Sequence, residues 1–457
     1  MTILKFKLER ALLLLGLGGL LSIANAAETP AAPANLTVTQ QPAWLDELSL
    51  GVKEAYDNNV YLSGVDAKYL PASYTVPAGS VAALENHGSW LTTLSPKVGV
   101  NFAPLFGHQS LLKTLTLAYA PDFVFYHEAP SESYDAHRFA ATVKGRADAF
   151  SLSLDEKFVY VDGNSVAPTY PNAYVNAYGT AGLRERRDQI QDRTTFTCQY
   201  DWQHWFIRPT ASLLDYNLMT EQLNVTGYQN YASRYDVNGG PDFGYKINSK
   251  LALTLGYRYG HQYQQQFSFS PYSSSSDYQR ALLGFEGKPW HWLAVKLQGG
   301  PDFRDYQADS AGHITPVNDH RLVTYYGEAS LVATVTAKDT VTFKYKQWQW
   351  VSSTGKIPYF DSTYDLSYHR QFTEKLGWDL GGKILSSDYR SGNLTACYRD
   401  DWQYTVATGV GYAFNPHCSV SLAYQYDLGQ NVLDGVPNPD TRSFDHQLVS
   451  FGTVVKF

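Results

Sequence analysis

Cysteine and methionine are almost missing from this chain, whose 457 residues hold 3 Cys and 2 Met. Cys198, Cys397 and Cys418 are odd in number and share no ligand-like spacing, so neither a disulfide framework nor a zinc site is expected. Charge is sparse too, at 17% of residues, and the net charge of −7 disfavours a nucleic-acid partner. Beyond Leu21 no apolar run approaches the ~20 residues that a spanning helix requires. The mature chain holds no Gly-x-Ser-x-Gly, Walker loop, His-Glu-x-x-His or Cys-x-x-Cys, and the chemistries those motifs carry are absent with them. No cofactor, metal or catalytic residue is expected. Scattered histidines such as His204, His261, His291 and His417 read as loop or interface groups. One cluster, His127, Glu128, Asp135 and His137, spans a single connection and reads as solvated loop residues before it reads as a barrel hydrolase site.

What the chain has is aromatic side chains, 15% of residues, led by 35 Tyr and 10 Trp. It opens with Lys5, Lys7 and Arg10, an apolar stretch from Ala11 to Leu21, and Ala24-Asn25-Ala26. That order is a secretory leader, with cleavage expected after Ala26. Residues 1–26 are therefore read as a signal peptide, 27–44 as a periplasmic lead-in and 45–457 as a barrel domain. The mature chain would carry a formal charge of about −9.

From Leu45 onward the dominant period is two. In Leu251 to Tyr263, Leu251, Leu253, Leu255, Tyr257 and Tyr259 share one face, opposed to Thr254, Gly256, Arg258, Gly260 and Gln262. Leu111 to Phe125, Val323 to Val335, Trp402 to Phe414 and Val420 to Tyr426 repeat the pattern. The polar face is small and sparse and the apolar face ends in Tyr and Trp, which predicts an all-β, transmembrane, antiparallel up-and-down barrel in a bacterial outer membrane. Segment counting gives about 18 strands, with 16 as the alternative. Trp90, Trp202, Trp205, Trp290, Trp292, Trp348, Trp350, Trp378 and Trp402 are the expected girdle residues. Short turns, such as Asn248-Ser249 and Glu374-Lys375, interleave with long connections such as Gly163 to Gln191.

The same parity sorts the charges. A Lys or Arg facing lipid at the midplane costs roughly 2–4 kcal/mol, so the charged parity must face the lumen. Its pore-lining candidates are Asp122, Arg234, Asp236, Asp242, Arg258, Lys296, Asp302, Arg304, Glu328 and Lys344. Three copies of a Pro-Asp-Phe step, at Pro121, Pro241 and Pro301, put Pro and Phe on the lipid parity and Asp on the lumen parity. They read as kinks, with a functional Asp ring as the alternative. The long Gly163 to Gln191 connection, with Arg184, Arg186 and Arg187, is expected to fold inward as a constriction.

The final strand alternates Val449, Phe451, Thr453, Val455 and Phe457 against Ser450, Gly452, Val454 and Lys456. Ending on Phe457, it resembles the signal that barrel-assembly machinery reads. The first strand, Leu48 to Val60, carries Tyr56-Asp57-Asn58-Asn59 and resembles the opening strand of outer-membrane β-barrel porins, with Asn58 where those have a second Asp. The resemblance implies a porin-like or surface-polysaccharide-associated role without defined catalytic residues. The expectation is a passive channel for small hydrophilic solutes with slight cation preference, in contact with outer-membrane lipid. An accessory barrel for polysaccharide export is the alternative. Self-association through a lipid-face patch, as in trimeric porins, stays open.

Overall fold

The computed structural model describes residues 42–60, 62, 88–106, 111–163, 186–219, 232–266, 275–306, 321–351, 358–389, 398–434 and 444–457. The leader, most of the lead-in, and Arg184 with most of its connection lie outside the described residues.

The strands are β1 Leu45–Asp57, β2 Ser89–Asn101, β3 Leu112–Tyr119, β4 Asp122–Tyr126, β5 Tyr134–Ala147, β6 Phe150–Asp162 and β7 Gln189–Trp202. They continue as β8 Trp205–Leu218, β9 Arg234–Lys246, β10 Leu251–Gln264, β11 Ser276–Trp290, β12 Leu293–Tyr306 and β13 Arg321–Thr336. The last are β14 Asp339–Trp350, β15 Tyr359–Gln371, β16 Leu376–Asp388, β17 Tyr398–Asn415, β18 Cys418–Asp434 and β19 Phe444–Lys456. Apart from β3 and β4, which do not pair with each other, each pairs antiparallel with its sequence neighbours, and β1 pairs with β19 from Ser49 opposite Lys456 to Asp57 opposite Leu448. The sheet is therefore a closed barrel with no free edge.

β3 and β4 both sit between β2 and β5, so they are two halves of one stave. Ala120-Pro121 separates them, because Pro121 has no N–H to give the ladder. The wall thus has 18 staves, the count that periodicity suggests. Tight turns such as Asp148-Ala149 and Gln203-His204 join strands at the end where β1 starts and β19 finishes; long connections occupy the other end. Short turns mark the periplasmic side.

Alternation drives the wall. Along β10, Leu253, Leu255, Tyr257 and Tyr259 are exposed on the outside, while Thr254, Gly256, Arg258 and Gly260 are buried on the inside. Leu283, Leu366, Leu422 and Phe451 continue the outer apolar belt, and Trp90, Trp202, Trp205, Trp290 and Trp292 stand exposed near its margins. Trp378 and Trp402 also face outward, half-buried, and donate their indole N–H groups to Thr408 and Asp400.

Trp348 and Trp350 do not belong to that girdle. They are buried, stacked on each other with centroids 4.4 Å apart. The β13–β14 ladder stops at Gly327 opposite Gln347, whereas β14 stays paired with β15 through Trp350 opposite Tyr359. Above Gln347 the end of β14 leaves β13 and turns into the lumen, carrying both indoles inside.

Candidate functional site: the lumen

The inner face from β8 to β13, on the side where β14 leaves its neighbour, is built from arginine, carboxylate and tyrosine. On β11 and β12, Asp302 is fully buried and accepts from Arg280 Nη2 at 2.8 Å and Arg304 Nη2 at 3.0 Å. Tyr278 donates to Asp236 of β9, and the Arg280 guanidinium lies 4.7 Å from the Tyr278 ring and 3.9 Å from that of Tyr326. Nearer the periplasm, Arg208 of β8 binds Asp242 at 3.2 Å and Glu286 at 2.7 Å, and Arg258 adds a second contact to Asp242 at 2.7 Å. Buried charges of this kind are tolerated only when paired and hydrogen-bonded.

The inward end of β14 docks on this wall through its main chain. Gln262 Nε2 of β10 and Arg304 Nη2 of β12 donate to the Gln349 carbonyl at 3.0 and 3.2 Å. Arg234 Nη1 of β9 donates to the Val351 carbonyl at 2.8 Å, while its guanidinium stacks over Trp350 and over Tyr216 of β8. Tyr216, Trp348, Trp350, Val351, Tyr359 and Tyr389 form one buried apolar cluster inside the barrel. Residues of β8, β14 and β15 meet there, which no wall neighbourhood allows. The strand end bridges one side of the bore, from β14 over β13 to the wall of β8 to β12.

Elsewhere the inner charges are more open. Asp122 pairs with Arg138 and accepts from Ser95. Glu328 accepts from Tyr326 and Gln298, with Lys296 Nζ 3.9 Å away. Lys344 lies opposite Asp365, and Lys144, Lys157, Lys296 and Lys344 are exposed on the inner face. The exception is a buried group, in which Asp427 of β18 and Asp57 of β1 flank the His446 ring at 2.8 and 3.0 Å.

Every pore-lining candidate named from the sequence therefore stands on the inner face. All six of Arg234, Asp236, Asp242, Arg258, Asp302 and Arg304 are buried: Arg258 pairs with Asp242 and Arg304 with Asp302, Arg234 donates to the Val351 carbonyl, and Asp236 accepts from Tyr278 and Asn238, whereas Lys296 and Lys344 are open to water. The three Pro-Asp-Phe steps interrupt the ladder and carry arginine-paired carboxylates. Ladder pairs are missing beside Pro241 and Pro301, and Asp122, Asp242 and Asp302 each bind arginine. Gly240 and Gly300 precede two of the prolines because a Cβ there would overlap the Tyr257 carbonyl of β10 or the Ala281 carbonyl of β11.

Arg186 and Arg187 are buried, and Arg186 Nε meets Glu132 Oε2 at 2.5 Å beside the 3-10 turn Pro130–Glu132. Arg186 is thus held at the rim between β4 and β5. His127, Glu128, Asp135 and His137 do not converge: His127 meets Thr92, Glu128 accepts from Ser89 and the Trp90 amide, and His137 meets Tyr119. Among the described residues no group of three His, Cys, Asp or Glu is placed to hold a metal. The inward β14 end is the feature that sequence reasoning missed. Its signal was parity, since Trp348 and Trp350 share theirs with Lys344 and Lys346.

A closed wall with a wet, charged interior and a lipid-facing belt between aromatic margins decides the setting. This is an outer-membrane β-barrel. No protein-family model matches it, and no curated protein does. Among solved structures, the barrel is similar to the outer membrane protein OpdK of Pseudomonas aeruginosa, at 11% identity over 90% of this chain and 99% of that one, TM-score 0.40. It is also similar to OccK2 (OpdF) of the same organism, solved with glucuronate, at 12% identity over 91% and 100%, TM-score 0.41. OccAB4 of Acinetobacter baumannii follows at 12% identity over 90% and 98%, TM-score 0.37. At these scores the likeness decides nothing about cargo.

Proposed function

We propose that the barrel is a passive channel for small hydrophilic solutes, narrowed by the inward end of β14. The observation that carries this reading is the wet inner face below the bridge, where Lys296 and Lys344 reach water inside an 18-stave wall. Barrels of 16–18 strands leave an aqueous path, whereas eight-stranded ones are filled by side chains. Planar-bilayer recordings of the folded protein are expected to show stepwise conductance; a folded barrel that never conducts overturns the reading.

Composition alone suggests cation preference, but the most exposed inner charges argue the other way. Lys144, Lys157, Lys296 and Lys344 face the lumen, while the inner carboxylates are more covered. The channel is therefore proposed to prefer anions. Reversal potentials in a KCl gradient are expected to give a chloride-to-potassium permeability ratio above one, and K296E/K344E is expected to bring it below one.

A second reading has one observation in its favour. The aromatic cluster and paired charges fill the bore beside β8–β14, as an accessory barrel for surface polysaccharide with a closed lumen would. Absence of conductance from wild type together with conductance from Trp350→Ala would favour it.

A further inference from the structure

The turns at the periplasmic end divide the rim of the barrel into two unlike arcs. Of the five turns between β9 and β18, four carry or adjoin a lysine: Lys250 before β10, Lys288 at the end of β11, Lys338 between β13 and β14, and Lys375 between β15 and β16. All four lysines are exposed, and among the described residues none of them closes an ion pair. The exposed acid in these turns is Glu374, while Asp339 is already held by Arg370 at 3.3 Å. On the other arc the Asp148-Ala149 and Gln203-His204 turns hold no lysine, and the exposed Lys113 and Arg146 are matched by Asp46 and Asp148.

The basic arc has a fixed geometry as well as a composition. Lys338 Nζ reaches the next turn and donates to the Phe372 carbonyl at 3.2 Å, and Lys375 Nζ donates to the Phe414 carbonyl at 3.0 Å. Each ammonium uses one of its three donors in this way and keeps two. Ile247, Trp290, Trp292, Val335, Phe372 and Phe414 stand exposed among the lysines.

We propose that this arc binds anionic phospholipid of the periplasmic leaflet, with phosphate oxygens on the lysines and acyl chains on the apolar side chains between them. Cations interleaved with exposed tryptophan and phenylalanine belong at headgroup level, where one molecule supplies both a negative charge and a hydrocarbon tail. A water-soluble acidic partner would meet the lysines and leave the rings bare. A zwitterionic headgroup brings its own ammonium, so lysines without acid partners favour the headgroup with net negative charge. Bound lipid is confined to the side of the barrel from β9 to β18.

The test uses the folded protein reconstituted in vesicles of phosphatidylethanolamine with a minority of phosphatidylglycerol, then extracted in mild detergent, with co-purifying lipid quantified by mass spectrometry. Phosphatidylglycerol is expected to be enriched at least about threefold over its share of the vesicle, and high salt during extraction is expected to reduce the enrichment. K250Q/K288Q/K338Q/K375Q keeps the turns polar and should fold, as gel heat-modifiability would report; its retained lipid is expected to match the vesicle. Should it not fold, K250Q/K288Q leaves both carbonyl ties in place and is expected to lose about half of the enrichment. K113Q/R146Q, on the other arc, is expected to keep the wild-type value. Wild type without enrichment, lysine variants that retain it in full, or a control that loses it equally overturns the proposal. Binding to purified peptidoglycan that the lysine variants abolish, with lipid retention unchanged, overturns it too and assigns the arc to an acidic glycan peptide.

Discussion

At the scale of residues, the interior is organised by where carboxylates find arginine. Asp302 is the clearest case, fully buried with two guanidinium partners. Removing one member of such a set leaves uncompensated buried charge, so Asp302→Ala is expected to cost about 3–5 kcal/mol in detergent unfolding by urea. The Lys296–Glu328 contact, long and half-exposed, should contribute well under 1 kcal/mol, and Lys296→Ala should leave the midpoint nearly unchanged. Gly300→Ala drives a methyl into the Ala281 carbonyl and should cost about 1–3 kcal/mol by the same measurement. The inward direction of these side chains was legible, because period two leaves only two faces. Their pairing was not, since Asp302 meets Arg280 through a strand register that no single strand encodes.

At the scale of elements, the decisive feature is a strand that quits its neighbour. β14 departs from β13 after Gln347, and Arg234, Gln262 and Arg304 hold its end by main-chain carbonyls. Trp350→Ala is expected to raise single-channel conductance, because it removes the largest side chain fully buried in the bore. Arg234→Ala should raise it too and add open-state noise, since the strand end loses one anchor while its aromatic packing remains. Equal conductance in both variants and wild type would remove the bridge from the permeation path. Residue type misled the sequence reading here: tryptophan in a barrel suggests a girdle, yet Lys344 and Lys346 share the parity of Trp348 and Trp350. Pro121 was easier to read, because a missing N–H interrupts a ladder wherever it falls.

At the scale of the whole molecule, 18 staves and their closure follow from alternation repeated along the chain, a signal that survives small errors at strand ends. Which connections enter the bore does not follow from alternation. Of the three arginines expected at a constriction, Arg186 instead meets Glu132 at the rim, and Arg184 lies outside the described residues. The bridging strand end then shapes what can pass. A strand end laid along a chord of a round tube, packed against β8 to β12 by arginine and tyrosine, leaves an opening flattened on that side, closer to a slot than to a circle. Exclusion should accordingly depend on a solute's smallest cross-section more than on its mass. Liposome swelling with flat or linear solutes should outpace swelling with globular ones of equal molecular weight.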